Sequence, residues 1–285
     1  MLGGLKARPL RPGDREAAAE LLRQDPRKNL FLLDLAEQLG LPPAPGEASS
    51  ELWGAWHRRS LVGVASLRPC ITLASDLPAA AFETLLPALA VAESGLVKSL
   101  ATGVNALWAR LAERGRRAVV DRMETAYALR TDDARFEGAP PDPRVRPARV
   151  EDLPALVEAA RASLREESRP DPFDGDPEGF RRWVRGRVAR AHVIETSAGV
   201  VFVGYADVRR PEGWLVQGVY SWPAVRRRGL ALAGVASLCR AAFEAGADHV
   251  QLSVVEGNDA AVRLYEKLGF RPFARLRTIL FQGPG

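Results

Sequence analysis

Several things are scarce in this sequence. Its 285 residues include two cysteines and three histidines: Cys70, Cys239, His57, His192 and His249, all far apart. That excludes a disulfide scaffold and leaves no spacing suited to structural zinc, so no metal is expected. Lysine is limited to Lys6, Lys28, Lys98 and Lys267, and the rest of the 40 basic residues are arginine. No stretch approaches the ~18 uncharged apolar residues of a membrane helix. The best candidate, around Ala79–Ala92, is broken by Glu83 and Pro87. The start, Met1 to Lys6, has no long apolar run of the secretory kind. There is no zinc-finger or RNP-like motif and no basic stripe interleaved with aromatics, so nucleic acid is not an expected partner. Neither is a membrane, and a cytoplasmic location is the expectation.

Apolar residues make up 47% and charged residues 26%, enough of each for packed cores and a wet surface. At roughly 100–200 residues per domain, the length suggests two domains. Residues Arg130–Arg146, RTDDARFEGAPPDPRVR, are rich in Pro, Gly and charge and lack apolar periodicity. They place a linker at 131–143 between domains at 1–130 and 144–285. Residues 1–143 hold 18 Lys+Arg and 18 Asp+Glu, and residues 144–285 hold 22 and 17, so the net +5 lies wholly in the second half. This reflects either a general preference for arginine or a half that attracts an anion such as a nucleotide or phosphate.

Two short internal matches suggest duplication. Arg8-Pro9-Leu10-Arg11-Pro12-Gly13-Asp14 is answered by Arg146-Pro147-Ala148-Arg149-Val150-Glu151-Asp152, each R-P-x-R-x-x-D ahead of an Ala/Leu-rich helix. At another offset, Asn105–Arg114 parallels Asn258–Lys267, sharing Asn, Arg, Leu and Glu.

Elements alternate in the second half. A helix over Gly179–Arg187 has Phe180, Trp183 and Val184 at i, i+3 and i+4. His192–Glu195 and Val200–Val208 form a hairpin around Ser197-Ala198-Gly199. A strand over Trp214–Trp222 ends at Pro223. A helix over Leu230–Ala245 is stopped by Gly246. A strand follows at His249–Val255, then a helix at Asp259–Leu268 and a last strand to about Phe281. This alternation predicts an α/β layer with a mixed sheet.

Between the strand ending at Pro223 and the helix from Leu230 lie Arg226, Arg227, Arg228 and Gly229. A helix start offers free N–H groups and the positive end of its dipole, and glycine allows close approach of a ligand. The loop is therefore either an anion site suited to phosphate or pyrophosphate or an ordinary turn with solvated arginines.

Arg226-x-x-Gly229-x-Ala231 resembles the R/Q-x-x-G-x-G/A signature of the GNAT acyltransferases. Asn258-x-x-Ala261-x-x-Leu264-Tyr265-x-x-x-Gly269-Phe270 is similar to the family's second motif, N-x-x-A-x-x-L-Y-x-x-x-G-F. The resemblance covers about 144–281, and the layout is similar to tandem GNAT proteins of bacteria. Asp25–Phe31, DPRKNLF, is similar to an N-terminal domain of some tandem members. The resemblance implies two GNAT-like domains, each a mixed, mostly antiparallel sheet flanked by helices. It implies an N-acetyltransferase using acetyl-CoA, with a small-molecule or protein amine as acceptor, in a monomer or homodimer.

The backbone N–H groups of the Arg226, Arg227, Arg228, Gly229, Leu230 and Ala231 loop would then hold the CoA pyrophosphate. Val219 and Ser221 would meet the thioester and pantetheine, where an N–H can stabilise a developing oxyanion. Asn258 would bond the pantetheine or loop, cap its own helix, or do both. Tyr265 would protonate the leaving thiolate, the alternative being a half-buried core tyrosine. The attacking amine needs a base. Where many members carry a glutamate, this chain has Leu215, and Trp214–Trp222 holds no carboxylate. Glu166 and Glu167 are the candidates for that base, for recognition of a cationic acceptor, or for an ordinary acidic turn. Glu195, Asp207, Glu256 and a water chain stay open as other bases. A CoA-binding module without acceptor chemistry is the second functional reading. No R-x-x-G-x-A occurs in residues 1–143, so the first domain is expected to bind no CoA. The repeat offset sets Leu73 against Arg226 and Ala112 against Tyr265.

Overall fold

In the computed structural model, which describes residues 4–43, 49–132 and 142–283, the chain forms two compact units. Among the described residues, unit 1 takes 4–43, 49–126 and 273–283, and unit 2 takes 127–132 and 142–272. Both are mixed α/β, as expected. The expected linker at 131–143 lies mostly outside the described residues.

Unit 1 runs β1 (Leu5–Pro9), α1 (Arg15–Leu22), α2 (Pro26–Glu37), β2 (Glu51–His57), β3 (Ser60–Arg68), β4 (Thr72–Leu73), α3 (Ala79–Leu89), β5 (Gly95–Leu100), α4 (Ala101–Ala112) and β6 (Arg117–Arg130), whose last four residues belong to unit 2. Strands β1 to β4 pair in that order, all antiparallel. One apolar layer, with Leu22, Leu32, Leu33, Leu52 and Val64, lies under α1 and α2. A second, with Leu85, Leu89, Val104 and Leu107, lies under α3 and α4.

Unit 2 runs β7 (Val145–Pro147), α5 (Leu153–Glu166), α6 (Pro177–Gly186), β8 (Ala191–Thr196), β9 (Gly199–Arg210), β10 (Gly213–Ser221), α7 (Leu230–Glu244), β11 (His249–Val255) and α8 (Asp259–Leu268). The strand order is β11-β10-β9-β8-β7, antiparallel apart from β10/β11. Phe180, Val184, Val203 and Tyr205 fill the layer under α5 and α6. Phe202, Val235, Leu238 and Leu252 fill the layer under α7 and α8.

The last strand, β12 (Arg271–Gln282), departs from the expected second domain: its residues from Phe273 on belong to unit 1. It pairs antiparallel with β5 from Leu276↔Leu100 to Phe281↔Gly95 and buries Ile279 and Phe281 among Leu85, Leu89 and Leu107. Conversely Tyr127 and Leu129, at the end of β6, lie in the core of unit 2. Alternating apolar residues specify a strand, but not which sheet receives it.

The R-P-x-R-x-x-D repeat is a repeat of structure. Arg8 grips Asp14 through two hydrogen bonds of 2.6 and 2.8 Å. Arg146 grips Asp152 through two of 2.7 and 2.9 Å. Asp14 accepts the Arg11 N–H at 2.8 Å, and Asp152 accepts the Arg149 N–H at 2.7 Å. Each aspartate thus pins the strand before it to the helix after it. The second match is not one of structure. Asn258 is the N-cap of α8, whereas Asn105 lies a turn inside α4. Counted from the N-caps Asn258 and Leu100, Tyr265 corresponds to the buried Leu107 rather than to Ala112.

Candidate functional site

β10 is the strand on which the site is built. It pairs with β11 only at Trp214↔Val250 and Leu215↔Gln251, so the two parallel strands separate beyond Leu215. Against β9 its register slips twice, between Leu215 and Val216 and between Gln217 and Tyr220. Gly218 sits in the second slip with φ +57°, a left-handed backbone that glycine adopts without steric cost. Such a bulge kinks a strand and re-aims its groups. Val219 and Ser221 follow on the separated segment. The Ser221 hydroxyl is buried with no partner among the described residues.

After β10, Pro223–Val225 make one 3-10 turn. Arg227 (φ +61°) and Gly229 (φ +79°) then reverse the chain into α7. Gly229 is the N-cap of α7, and no side chain caps that helix. The first-turn N–H groups, which have no intrahelical acceptor, therefore face outward beside a glycine. A Cβ placed on Gly229 would meet nothing within 4 Å. Arg227 and Arg228 are exposed, Leu230 anchors the helix in the core, and Ala231 is half-buried.

Arg226 is turned the other way. Its Nη2 donates to both oxygens of Glu166, at 2.7 Å each, and its Nε donates to the Ser221 carbonyl at 2.9 Å. The Tyr220 hydroxyl donates to the same Glu166 at 3.0 Å. The end of α5 is thereby tied to the end of β10. Glu167 turns elsewhere, to the Ser163 hydroxyl (3.4 Å) and Arg169 (3.6 Å). The Asn258 side chain accepts the Ala261 N–H at 3.1 Å, the capping role that its sequence position allows.

Tyr265 is buried in the layer under α7 and α8, its ring 5.6 Å from that of Phe270. Burial, with Cys239 beside it, pushes its phenol well above the ordinary value. It is therefore a neutral phenol throughout the physiological range. Among the described residues, no His/Cys/Asp/Glu group is placed to hold a metal, and no helix is long and apolar enough to cross a membrane.

A cluster not singled out as a unit in the sequence lies beside the bulge. Arg187, after α6, donates from Nε and Nη2 to Asp207 at 3.2 and 2.5 Å. Its guanidinium lies 4.2 Å from the Tyr205 ring centroid and 4.9 Å from that of Trp183. The available signal was Asp207 itself, the one charged residue in the run Val200–Val208.

Unit 1 has a corresponding turn between β4 and α3, and its own side chains fill it. Ser75 N–H donates to Asn29 Oδ1 at 2.8 Å. Asn29 Nδ2 donates to the Ser75 hydroxyl at 3.0 Å and to the Leu22 carbonyl at 3.1 Å. The next residue is an acid, Asp76, with φ +55°.

Residues 154–270 match the model of the acetyltransferase (GNAT) family. No curated protein matches the chain. Among solved structures, the chain is similar to a Drosophila protein (TM-score 0.71, 16% identity, 97% of this chain and 99% of that one). It is similar to a tandem GNAT protein from the clavulanic acid biosynthesis pathway (TM-score 0.58, 16% identity, 99% of each chain). It is also similar to a GCN5-related N-acetyltransferase from Sphaerobacter thermophilus (TM-score 0.56, 18% identity, 98% and 96%). At these identities the likeness is one of fold.

Proposed function

We propose that the chain is an N-acyltransferase that moves acetyl from acetyl-CoA to an amine, a reading supported by the match of residues 154–270 to the GNAT family model. The observation that carries the reading is the separated segment of β10 leading into an uncapped, glycine-started helix. The donor set fits the co-substrate. Outward N–H groups at the start of α7 suit a pyrophosphate, the open space at Gly229 admits it, and the buried Ser221 hydroxyl lacks a partner.

Acetyl-CoA, when bound, supplies an acyl group activated as a thioester. The residues of unit 2 do the rest. The loop Arg227 to Ala231 holds the phosphates through backbone N–H groups. Val219 and Ser221 line the separated strand and orient the thioester for direct attack by the amine in a ternary complex. Tyr265 holds a proton for the departing sulfur. Arg226 and Glu166 brace the loop against α5, a positioning duty that occupies both oxygens of Glu166. Glu167 lies apart from this arrangement. With no acid on β10, the amine loses its proton to water. Unit 1 is proposed to bind no CoA, because Asn29 already satisfies its turn.

Acetyl-CoA binding by calorimetry, followed by CoA thiol release across an amine panel, tests the reading. Binding with acyl transfer supports it, and the absence of binding defeats it. Binding without transfer to any amine would favour the CoA-binding module, a reading that the lack of an acid on β10 supports.

A further inference from the structure

We propose that Arg187 and the Tyr205 hydroxyl form a carboxylate-binding subsite, so that the acceptor is an amine carrying an acidic group. This rests on the acyltransferase reading and adds the substrate class. The Arg187 guanidinium carbon lies 4.2 Å from the Tyr205 ring centroid and 4.9 Å from that of Trp183. Its N–H groups lie in the guanidinium plane, so it bonds through its edges. Asp207 takes the edge made by Nε and Nη2. The other edge, with Nη1, has no partner among the described residues. Nη2 lies 4.0 Å from the position of a Cβ on Gly218, so the group stands at the bulge where β10 has left β11.

One further observation points to a ligand beside this cation. The Tyr205 hydroxyl is buried with no partner among the described residues, although its ring packs against Gly218. A buried donor in that state costs free energy unless a ligand accepts from it. A second carboxylate would accept from Tyr205 and from the open edge of Arg187, a charge-assisted geometry that arginine favours. Its amine would then lie along the separated segment of β10.

The test compares acetyl transfer to glycine, β-alanine and L-lysine with transfer to glycinamide, β-alaninamide and cadaverine, each scaled to the concentration of free amine. The carboxylates should be preferred at least 10-fold in kcat/KM. Tyr205→Phe keeps the ring on Arg187 and removes only the hydroxyl. It should raise KM for the carboxylate acceptors roughly 10- to 100-fold with little change in KM for acetyl-CoA. Arg187→Gln combined with Asp207→Asn removes the ion pair without stranding a buried charge, and should abolish the preference. Equal use of both series, or a preference unchanged in both variants, overturns the subsite. Acetyl-CoA binding is measured separately. Normal binding with no transfer to any carboxylate-bearing amine defeats this proposal alone, whereas no binding defeats the acyltransferase reading beneath it.

Discussion

In unit 1, Arg8 holds Asp14, and in unit 2, Arg146 holds Asp152, with donor–acceptor distances that agree within 0.1 Å. Further along, the turns into α3 and α7 differ. At α7 the strand has separated from its neighbour, a glycine begins the helix, and a serine hydroxyl is left unsatisfied. At α3 a buried asparagine from α2 bonds both the N–H and the hydroxyl of Ser75, and an aspartate follows. The scaffold was kept in both units, while the polar groups that would meet a phosphate are spent internally in one. A unit that binds no phosphate at this turn is expected to satisfy it from within, because orphaned backbone donors are costly when buried.

Removing β12 from unit 1 should have the greatest consequence. Ending the chain at Pro272 removes Ile279 and Phe281 from unit 1. Unit 1 should lose its cooperative unfolding transition in calorimetry while unit 2 keeps its own. Phe281→Ala, a milder form, should cost about 3–5 kcal/mol. Retention of both transitions after truncation would mean that β12 is not a structural part of unit 1.

Next in size, Tyr265→Phe should slow acyl transfer by about 10²–10⁴-fold with unchanged acetyl-CoA affinity. Leu107, its counterpart in unit 1, has no proton to offer, and Leu107→Ala should alter stability alone. Equal turnover in Tyr265→Phe would reduce the tyrosine to packing.

Asn29→Ala strands the Ser75 N–H and should destabilise unit 1 by about 1–3 kcal/mol in denaturant unfolding. It should not create a second acetyl-CoA site, because Asp76 stays beside the freed turn. Appearance of such a site would show that the asparagine alone silences the copy.

The smallest effect concerns acid. Asp14 and Asp152 are both held below the usual carboxylate range, chiefly by the side-chain bonds from Arg8 and Arg146. A depressed carboxylate stabilises the fold above its unfolded pKa, and that contribution is lost as pH falls through the folded value. Both units should therefore weaken on acidification below about pH 4. Arg146→Ala should remove more of the effect than Arg8→Ala, because Arg8 is 40% exposed and Arg146 23% and solvent screens the former. Equal losses in the two variants would remove this distinction between the units.

Much of this was legible in residue order. The elements of unit 2 fall within a few residues of their periodic patterns, since each buries one face. R-P-x-R-x-x-D identified a real repeat because its contacts span only six residues. The Asn105 match misled because residue identity in a helix carries no record of distance from the cap. Asn29 and Ser75 are 46 residues apart, and Arg187 and Asp207 are 20 apart. Their pairing depends on how layers stack, which local pattern does not encode. The placement of β12 was hidden for the same reason.

One unit of the two is proposed to bind the co-substrate, at the glycine-started helix. Titrating the intact chain with acetyl-CoA in a calorimeter, beside Gly229→Glu, tests it most directly. The substitution adds a charged side chain where nothing stands within 4 Å, though at a strained φ of +79°, so circular dichroism must first show the variant folded. One site per chain is expected in the parent and none in the folded variant. Two sites, or one site that survives Gly229→Glu, would contradict it.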